Sequence, residues 1–230
     1  NTKLYRRFHD VIIPSSHGTT QIDHVLVSPF GVFVVETKNY KGWIYGSEDQ
    51  SNWTQVIYKS KHKFQNPLRQ THRHKKVLSK YLGIDESSIL PIISFVGDVE
   101  LKTELPANVL TSRVSSYIKQ FNEEVFSDDE VERIIALLSH VKSEYNISKK
   151  EHIQSLEDRY ASDTICPKCS SNLILREVKQ GSRKGSQFLG CSSFPKCRYT
   201  KEIQLESKSK WRIITIIVIL FLVTIIVNKL

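Results

Sequence analysis

The chain has 230 residues, 40% hydrophobic and 25% charged, which excludes a disordered or collagen-like polymer and leaves room for one medium domain plus a small one. Its formal net charge of +9 points to a polyanionic partner, nucleic acid or an acidic membrane surface, or else to a basic surface that is merely solvated. The four cysteines lie late in the chain as two close pairs, a spacing that fits reduced thiols on zinc better than the staples of a secreted domain.

The first apolar run, residues 11–13, is too short for a signal peptide, and the chain enters it so soon that a segment upstream of Asn1 is expected. Residues 11–14 and 21–28 read as strands around the turn SSHG, and 32–37 as a third. Residues 43–45 and 53–58 read as a further hairpin around GSEDQSN. Asn66-Pro67 reads as the N-cap and first position of a helix reaching about residue 82. Residues 89–97 form a buried-strand candidate and NVLTS a last strand, ahead of a helix over 114–121. Ser127 with Glu130 makes a capping box before a helix whose apolar residues at 131, 134, 135, 138 and 141 share one face. Residues 148–163 read as a linker or a partly helical spacer. Strands followed by helices predict an α/β or α+β core over residues 1–125, with a separate helix at 126–147.

The stretch QIDHVLVSPFGVFVVETK carries its charges in an unusual place. If SPFG closes a tight turn, Ser28 pairs with Gly31 and Asp23 falls opposite Glu36. Side chains alternate along a strand, so Asp23, Glu36 and Lys38 share one face, while Ile22, Leu26, Phe33 and Val35 take the other. Two facing carboxylates repel unless a cation lies between them. Mg²⁺ or Mn²⁺ suits such a pair, since it binds through one or two carboxylates and keeps waters and phosphate oxygens. Lys38 then reaches the same cation, where it can assist an attacking water or hold phosphate charge. The alternative is a plain ion pair at the sheet end.

TTQIDHVLVSPFGVFVVETKNYKGWIYG, followed by Trp53 and NPLRQTHRHKKVL, resembles the nuclease-related domain (NERD) family, itself similar to the restriction-endonuclease-like PD-(D/E)xK nucleases. The likeness covers roughly residues 8–105. It implies a mixed sheet flanked by helices, with Asp23, Glu36 and Lys38 at the metal and catalytic positions and Gln70 beside them. An acidic helix usually precedes the first strand in that family and is expected upstream of Asn1.

Between residues 59 and 80 stand Lys59, Lys61, Lys63, Arg69, Arg73, Lys75 and Lys76 with no acid among them, a pattern that fits phosphate-backbone contact or a solvated face. His62, His72 and His74 add latent charge and are assigned no metal. Cys166, Cys169, Cys191 and Cys197 give C-x2-C-x21-C-x5-C, which suits tetrahedral Zn²⁺. The pattern CPKC…GSQFLGCSSFPKCRYT resembles the C-terminal zinc ribbon of type IA topoisomerases, departing from it where Ser170-Ser171 replace the usual glycine. The ribbon, residues 164–204, is thereby expected to bind single-stranded DNA. Phe194 and Tyr199 are the stacking candidates, with Arg176, Arg183, Lys184, Lys196 and Arg198 along phosphates.

Residues 213–227 hold no charge and would span roughly 22 Å as a helix, with Trp211, Arg212 and Lys229 extending the reach toward a ~30 Å hydrocarbon core. A single transmembrane anchor is expected over 211–228. The basic residues before it place the N-terminal domains in the cytoplasm. The expected protein is a membrane-anchored, nuclease-like DNA-binding chain, or a tether that binds without cutting.

Overall fold

Strand β3 (Gly31–Asn39) is buried along its first six positions, the mark of a strand covered on both faces. It is the centre of a five-stranded sheet, ordered β1-β2-β3-β7-β9, in a computed structural model that describes residues 4–15, 18–144 and 147–203. On one side β2 (Gly18–Ser28) and β1 (Arg6–Ser15) run antiparallel, and on the other β7 (Ile89–Val96) and β9 (Val109–Leu110) run parallel. A second sheet, β6-β5-β4-β8, takes β4, β5 and β6 from the chain between β3 and β7 and β8 from just after β7. Its strands are β4 (Gly42–Tyr45), β5 (Asn52–Ile57), β6 (Ser60–Gln65) and β8 (Val99–Leu101). The chain is a mixed α/β protein, as expected.

Helix α1 (Pro67–Leu82) returns from the second sheet to the first, packing on β7 and β3. It shares a core with α3 (Asp128–Glu144) that includes Val25, Val27, Val32, Val34, Leu78, Leu82, Ile134 and Leu138. The opposite face packs Phe33, Val35 and Ile92 under the short helix α2 (Val114–Ile118), where Phe121 meets Phe33 edge to face. A third cluster joins the sheets through Ile44, Trp53, Ile93 and Phe95.

Three elements depart from the sequence expectation. β6, with sequence SKHKFQ, has little strand propensity, and pairing with β5 rather than burial defines it. It is the sheet's edge, and exposed Lys61 and Lys63 there oppose edge-to-edge association. β8 is only three residues long. Residues expected as a linker form α4 (Lys149–Ala161), opened by a Ser148–Glu151 capping box and packed against β2. Its polar composition hides the contact, because α4 is fixed by hydrogen bonds: Arg159 Nη2 donates to Thr19 O at 2.7 Å, and His152 Nδ1 meets Thr19 Oγ1 at 2.6 Å.

The expected core face also needs correction at one residue. Leu26, Phe33 and Val35 share a cluster, but Ile22 joins the opposite core with Val25. Alternation slips by one on both strands, since Phe8 and Val11 also share that core. Asp10, at φ 51°, lies at the slip and turns the strand.

By contact the chain divides into Asn1–Leu173 with Cys191–Tyr199, and Ile174–Gly190 with Thr200–Leu230. The cysteine knuckles therefore group with the first unit. The second unit holds most of the sheet β10-β11-β12, from β10 (Leu173–Glu177), β11 (Gln187–Cys191) and β12 (Thr200–Glu202). The expected membrane anchor, 211–228, lies outside the described residues; among those, no helix is long and apolar enough to cross a membrane.

Asn66 is the joint of this fold. Fully buried, it caps α1 by accepting from Leu68 N–H at 2.9 Å. Its amide donates to the carbonyls of Ser47, Glu48 and Gln50 at 3.1, 3.1 and 2.7 Å. Asn66→Ala removes the cap and strands three carbonyls, and is expected to lower stability by about 2–4 kcal/mol in urea unfolding. Asn66→Asp restores the acceptor alone, so it is expected to recover only about 1 kcal/mol of that loss. Full recovery by Asp would show that the loop contacts contribute nothing.

Candidate functional site

Four side chains singled out in the sequence come together where β2, β3 and α1 meet. The β2–β3 register is the expected one, Ser28 with Gly31 through to His24 with Val35, and the pairing ends there. Asp23 follows that last pair, and its Oδ2 accepts from Thr37 N–H at 3.0 Å. A side chain thus takes the place of the next ladder bond, holding the strands where they part. Glu36 and Lys38, two apart on β3, point the same way. Lys38 Nζ donates to Glu36 Oε1 at 2.6 Å and to Gln70 Oε1, on α1, at 3.0 Å.

Burial governs the electrostatics. Glu36 is 3% exposed, and its carboxyl is pushed above the usual range by desolvation, a rise opposed by the charge and hydrogen bond of Lys38 and reinforced by nearby Asp23. The ion pair named as the alternative is present in this geometry, and Lys38 satisfies only one carboxylate oxygen. Glu36 Oε2 is buried without a hydrogen bond among the described residues.

That orphaned oxygen faces a residue the sequence reading left without a role. His74 Nδ1 lies 3.6 Å from Glu36 Oε2, also buried and without a hydrogen-bond partner among the described residues. Burial, then the charges of Arg73 and Lys38, pull its pKa down to about 3, so the ring is neutral. The signal was available: Gln70 and His74 are four apart on one helix and so share a face, in line with buried Thr71, Leu78 and Leu82.

The cysteines form the second centre. Cys166, Cys169, Cys191 and Cys197 have all their sulfurs within 4.8 Å of one another, the only such group of three or more His, Cys, Asp or Glu ligands among the described residues. Cys166–Cys197 and Cys169–Cys191 sulfurs are 3.7 and 3.3 Å apart, close to the edge of about 3.8 Å for a tetrahedron with Zn–S bonds near 2.3 Å. None of the four forms a disulfide. The Cys169 thiol is pulled down to about 4, first by its hydrogen bond with Cys166 and against the effect of burial. In the first knuckle Ser170 adopts φ 61° and donates its N–H to Cys166 O at 2.8 Å, so a serine occupies the left-handed position where glycine is usual. The donor set fits Zn²⁺.

A model of the nuclease-related domain (NERD) matches residues 1–96, and a model of the topoisomerase DNA-binding C4 zinc finger matches residues 163–206. The uncharacterized protein pXO1-01 of Bacillus anthracis is 33% identical over 166 residues, covering 69% of this chain and 77% of that one. The chain belongs to this nuclease-related family. Its tail is similar to two DNA topoisomerases 1. The Mycoplasma genitalium enzyme is 32% identical over 63 residues, and that of Methanocaldococcus jannaschii 49% over 41. These spans cover 27% and 18% of this chain but only 8% and 5% of the enzymes. No solved structure matches the chain significantly. The topoisomerase-type ribbon supports DNA binding, and the NERD match a nuclease-like role.

The basic residues of this NERD chain are distributed over several surfaces. Lys59, Lys61 and Lys63 are exposed on the β5–β6 hairpin. Arg69, Arg73, Lys75 and Lys76 on α1, with Lys196 and Arg198 from the second knuckle, line a cleft of about 1220 Å³ within the first unit. Arg69 Nη2 donates to Asp49 O at 2.5 Å, and Arg73 Nη1 to Pro167 O at 3.2 Å, so both are partly committed to the protein. Arg198 lies over the exposed Phe194 ring at 5.9 Å, and Lys168 over Tyr199 at 5.9 Å. In the second unit, exposed Arg183 pairs with Glu202 at 2.9 Å, Lys184 is exposed and Arg176 is half-buried. Asp23, Glu36, Lys38 and Gln70 are not among the residues lining the cleft.

Purified under reducing conditions, the protein is expected to carry about one zinc per chain by metal analysis, and Cys169→Ser to retain markedly less. A zinc-free, fully oxidised native form would contradict the four-thiolate centre.

Proposed function

We propose that this chain hydrolyses DNA phosphodiesters with a divalent cation at the Asp23–Glu36 site, on a restriction-endonuclease-like fold. The observation that carries the proposal is the convergence of Glu36 and Gln70 on the Lys38 ammonium beside Asp23, at the point where β2 and β3 part. A buried carboxylate with one oxygen unsatisfied fits a cation site. Asp23 and Glu36 are the residues that would hold Mg²⁺ or Mn²⁺, which supplies Lewis-acid polarisation of the phosphate and its water.

The protein's own groups account for the rest. Gln70 fixes the Lys38 ammonium from the helix side, so its direction is set before substrate arrives. Lys38, 18% exposed on its side chain, can present a proton donor to a phosphate oxygen or orient the attacking water while remaining paired to Glu36. The zinc-ordered knuckles and the basic face of α1 would position a DNA strand through phosphate contacts and stacking on Phe194. Residues 211–228 would anchor the protein as a single pass, with these domains in the cytoplasm.

One observation favours a second reading, a non-catalytic DNA tether: the basic cleft contains none of the nuclease residues. Cleavage separates the two. Zinc-loaded protein with Mg²⁺ or Mn²⁺ is expected to cut single- or double-stranded DNA, and Asp23→Asn, Glu36→Gln and Lys38→Met each to lower the rate by about 10²–10³-fold. DNA affinity of the same variants is expected to stay within about twofold, because phosphate contacts elsewhere carry binding. Absence of cleavage by the unaltered protein, or equal cleavage by Asp23→Asn, would leave only the tether.

A further inference from the structure

The buried pair formed by Glu36 Oε2 and His74 Nδ1 has no counterpart in the roles assigned so far. At 3.6 Å the two atoms are too far apart for a hydrogen bond. Each is nonetheless sealed from solvent and without a hydrogen-bond partner among the described residues. His74 is 5% exposed and Glu36 3%, so water in bulk does not satisfy them. Leaving a buried acceptor and a buried ring nitrogen unmatched is costly. Lys38 satisfies neither atom, its bonds going to Glu36 Oε1 and Gln70 Oε1. One group resolves the deficit at both atoms: a cation accepting a lone pair from each. A separation of 3.6 Å accommodates one ion at ordinary ligand distances of about 2.0–2.2 Å.

We infer that His74 is a direct ligand of the nuclease-site cation, joining Glu36 through Nδ1, and that this mixed nitrogen–oxygen donor set makes the site prefer Mn²⁺ to Mg²⁺. The inference rests on the reading that a divalent cation occupies this site. An imidazole is a poor ligand for Mg²⁺, which takes oxygen donors and holds its waters, whereas transition ions accept nitrogen readily. Helix α1 supplies the ring from the face that also supplies Gln70, so the cation would tie the helix to β3 at the position the Lys38 bridge already marks.

The test uses the full zinc-loaded chain titrated with Mn²⁺ and followed by electron paramagnetic resonance. Electron-spin-echo modulation reports whether a ¹⁴N nucleus is bonded to the ion. Bound Mn²⁺ is expected to show nitrogen modulation, and Mg²⁺ to displace it only in large excess. His74→Gln is expected to abolish the modulation and weaken Mn²⁺ binding by at least about tenfold. His74→Phe keeps the buried ring without a nitrogen and is expected to do the same, which guards against loss of the fold in one variant. His9 and His24 face each other across β1 and β2 with Nδ1 atoms 2.7 Å apart, an imidazole pair that is an alternative nitrogen source for Mn²⁺. His9→Ala is therefore expected to leave the modulation intact. Mn²⁺ that binds in an Asp23- and Glu36-dependent manner without nitrogen modulation would overturn the role of His74 and leave the cation reading standing. Failure of the unaltered chain to bind either ion would overturn both.

Discussion

The Lys38 ammonium, shared between Glu36 Oε1 and Gln70 Oε1, is the contact on which the arrangement of this protein turns. A carboxylate at 3% exposure in the centre of a sheet is unfavourable unless a positive group accompanies it. Lys38 provides that charge from the same strand, two residues on, where alternation guarantees the same side. Gln70 then ties the charged pair to α1. Removing Lys38 would leave Glu36 buried without the cation that accompanies it. The sheet centre and the helix are thus joined by polar chemistry as well as by the apolar contacts of Leu78 and Leu82.

Helix α1 serves both metal-type centres. Its buried positions carry Thr71, His74, Leu78 and Leu82, while Arg73 reaches toward the first knuckle to donate to Pro167 O. The guanidinium feels Cys166 and Cys169 electrostatically, although burial lowers its pKa more than they raise it. Four thiolates on Zn²⁺ would carry a net negative charge, and the half-buried Arg73 beside them would act as counter-charge. One turn of helix, from Gln70 to His74, therefore holds the acceptor for Lys38, a charge partner to the cysteines and the ring facing Glu36. Asn66 and Pro67 set where that turn begins, and an error of one residue there would displace all three groups.

The legible part of the fold was the part governed by short-range rules. The SPFG turn fixed the register of β2 on β3, and Asn-Pro marked the start of α1, because tight turns and caps are written in local residue types. The cysteine cluster was legible for the same reason, its spacing dictating which sulfurs can meet. What was hidden depends on distant partners. α4 looks like a linker because its contact with β2 is made by Arg159 and His152, not by an apolar stripe. β6 looks like a basic surface because its strand character comes from β5. His74 stands in the sequence as latent charge beside His62 and His72, and only the packing of α1 on β3 shows it sealed against Glu36.

The displaced Ile22 explains why a hairpin can be both core and site. A regular antiparallel ladder would have continued pairing β2 with β3 past His24 and Val35, placing Asp23 and Glu36 side by side at the full cost of two facing carboxylates. Instead Asp10, in the left-handed region, turns the edge strand, alternation slips, and Ile22 swings into the α1 core. β2 leaves β3 at this level, which frees the Thr37 N–H that Asp23 takes. The carboxylate at Asp23 is thereby held by a backbone donor and that at Glu36 by Lys38, so each negative group has its own partner. Two acids are kept near one another without direct pairing, and the gap between the parted strands is what leaves Glu36 Oε2 facing α1.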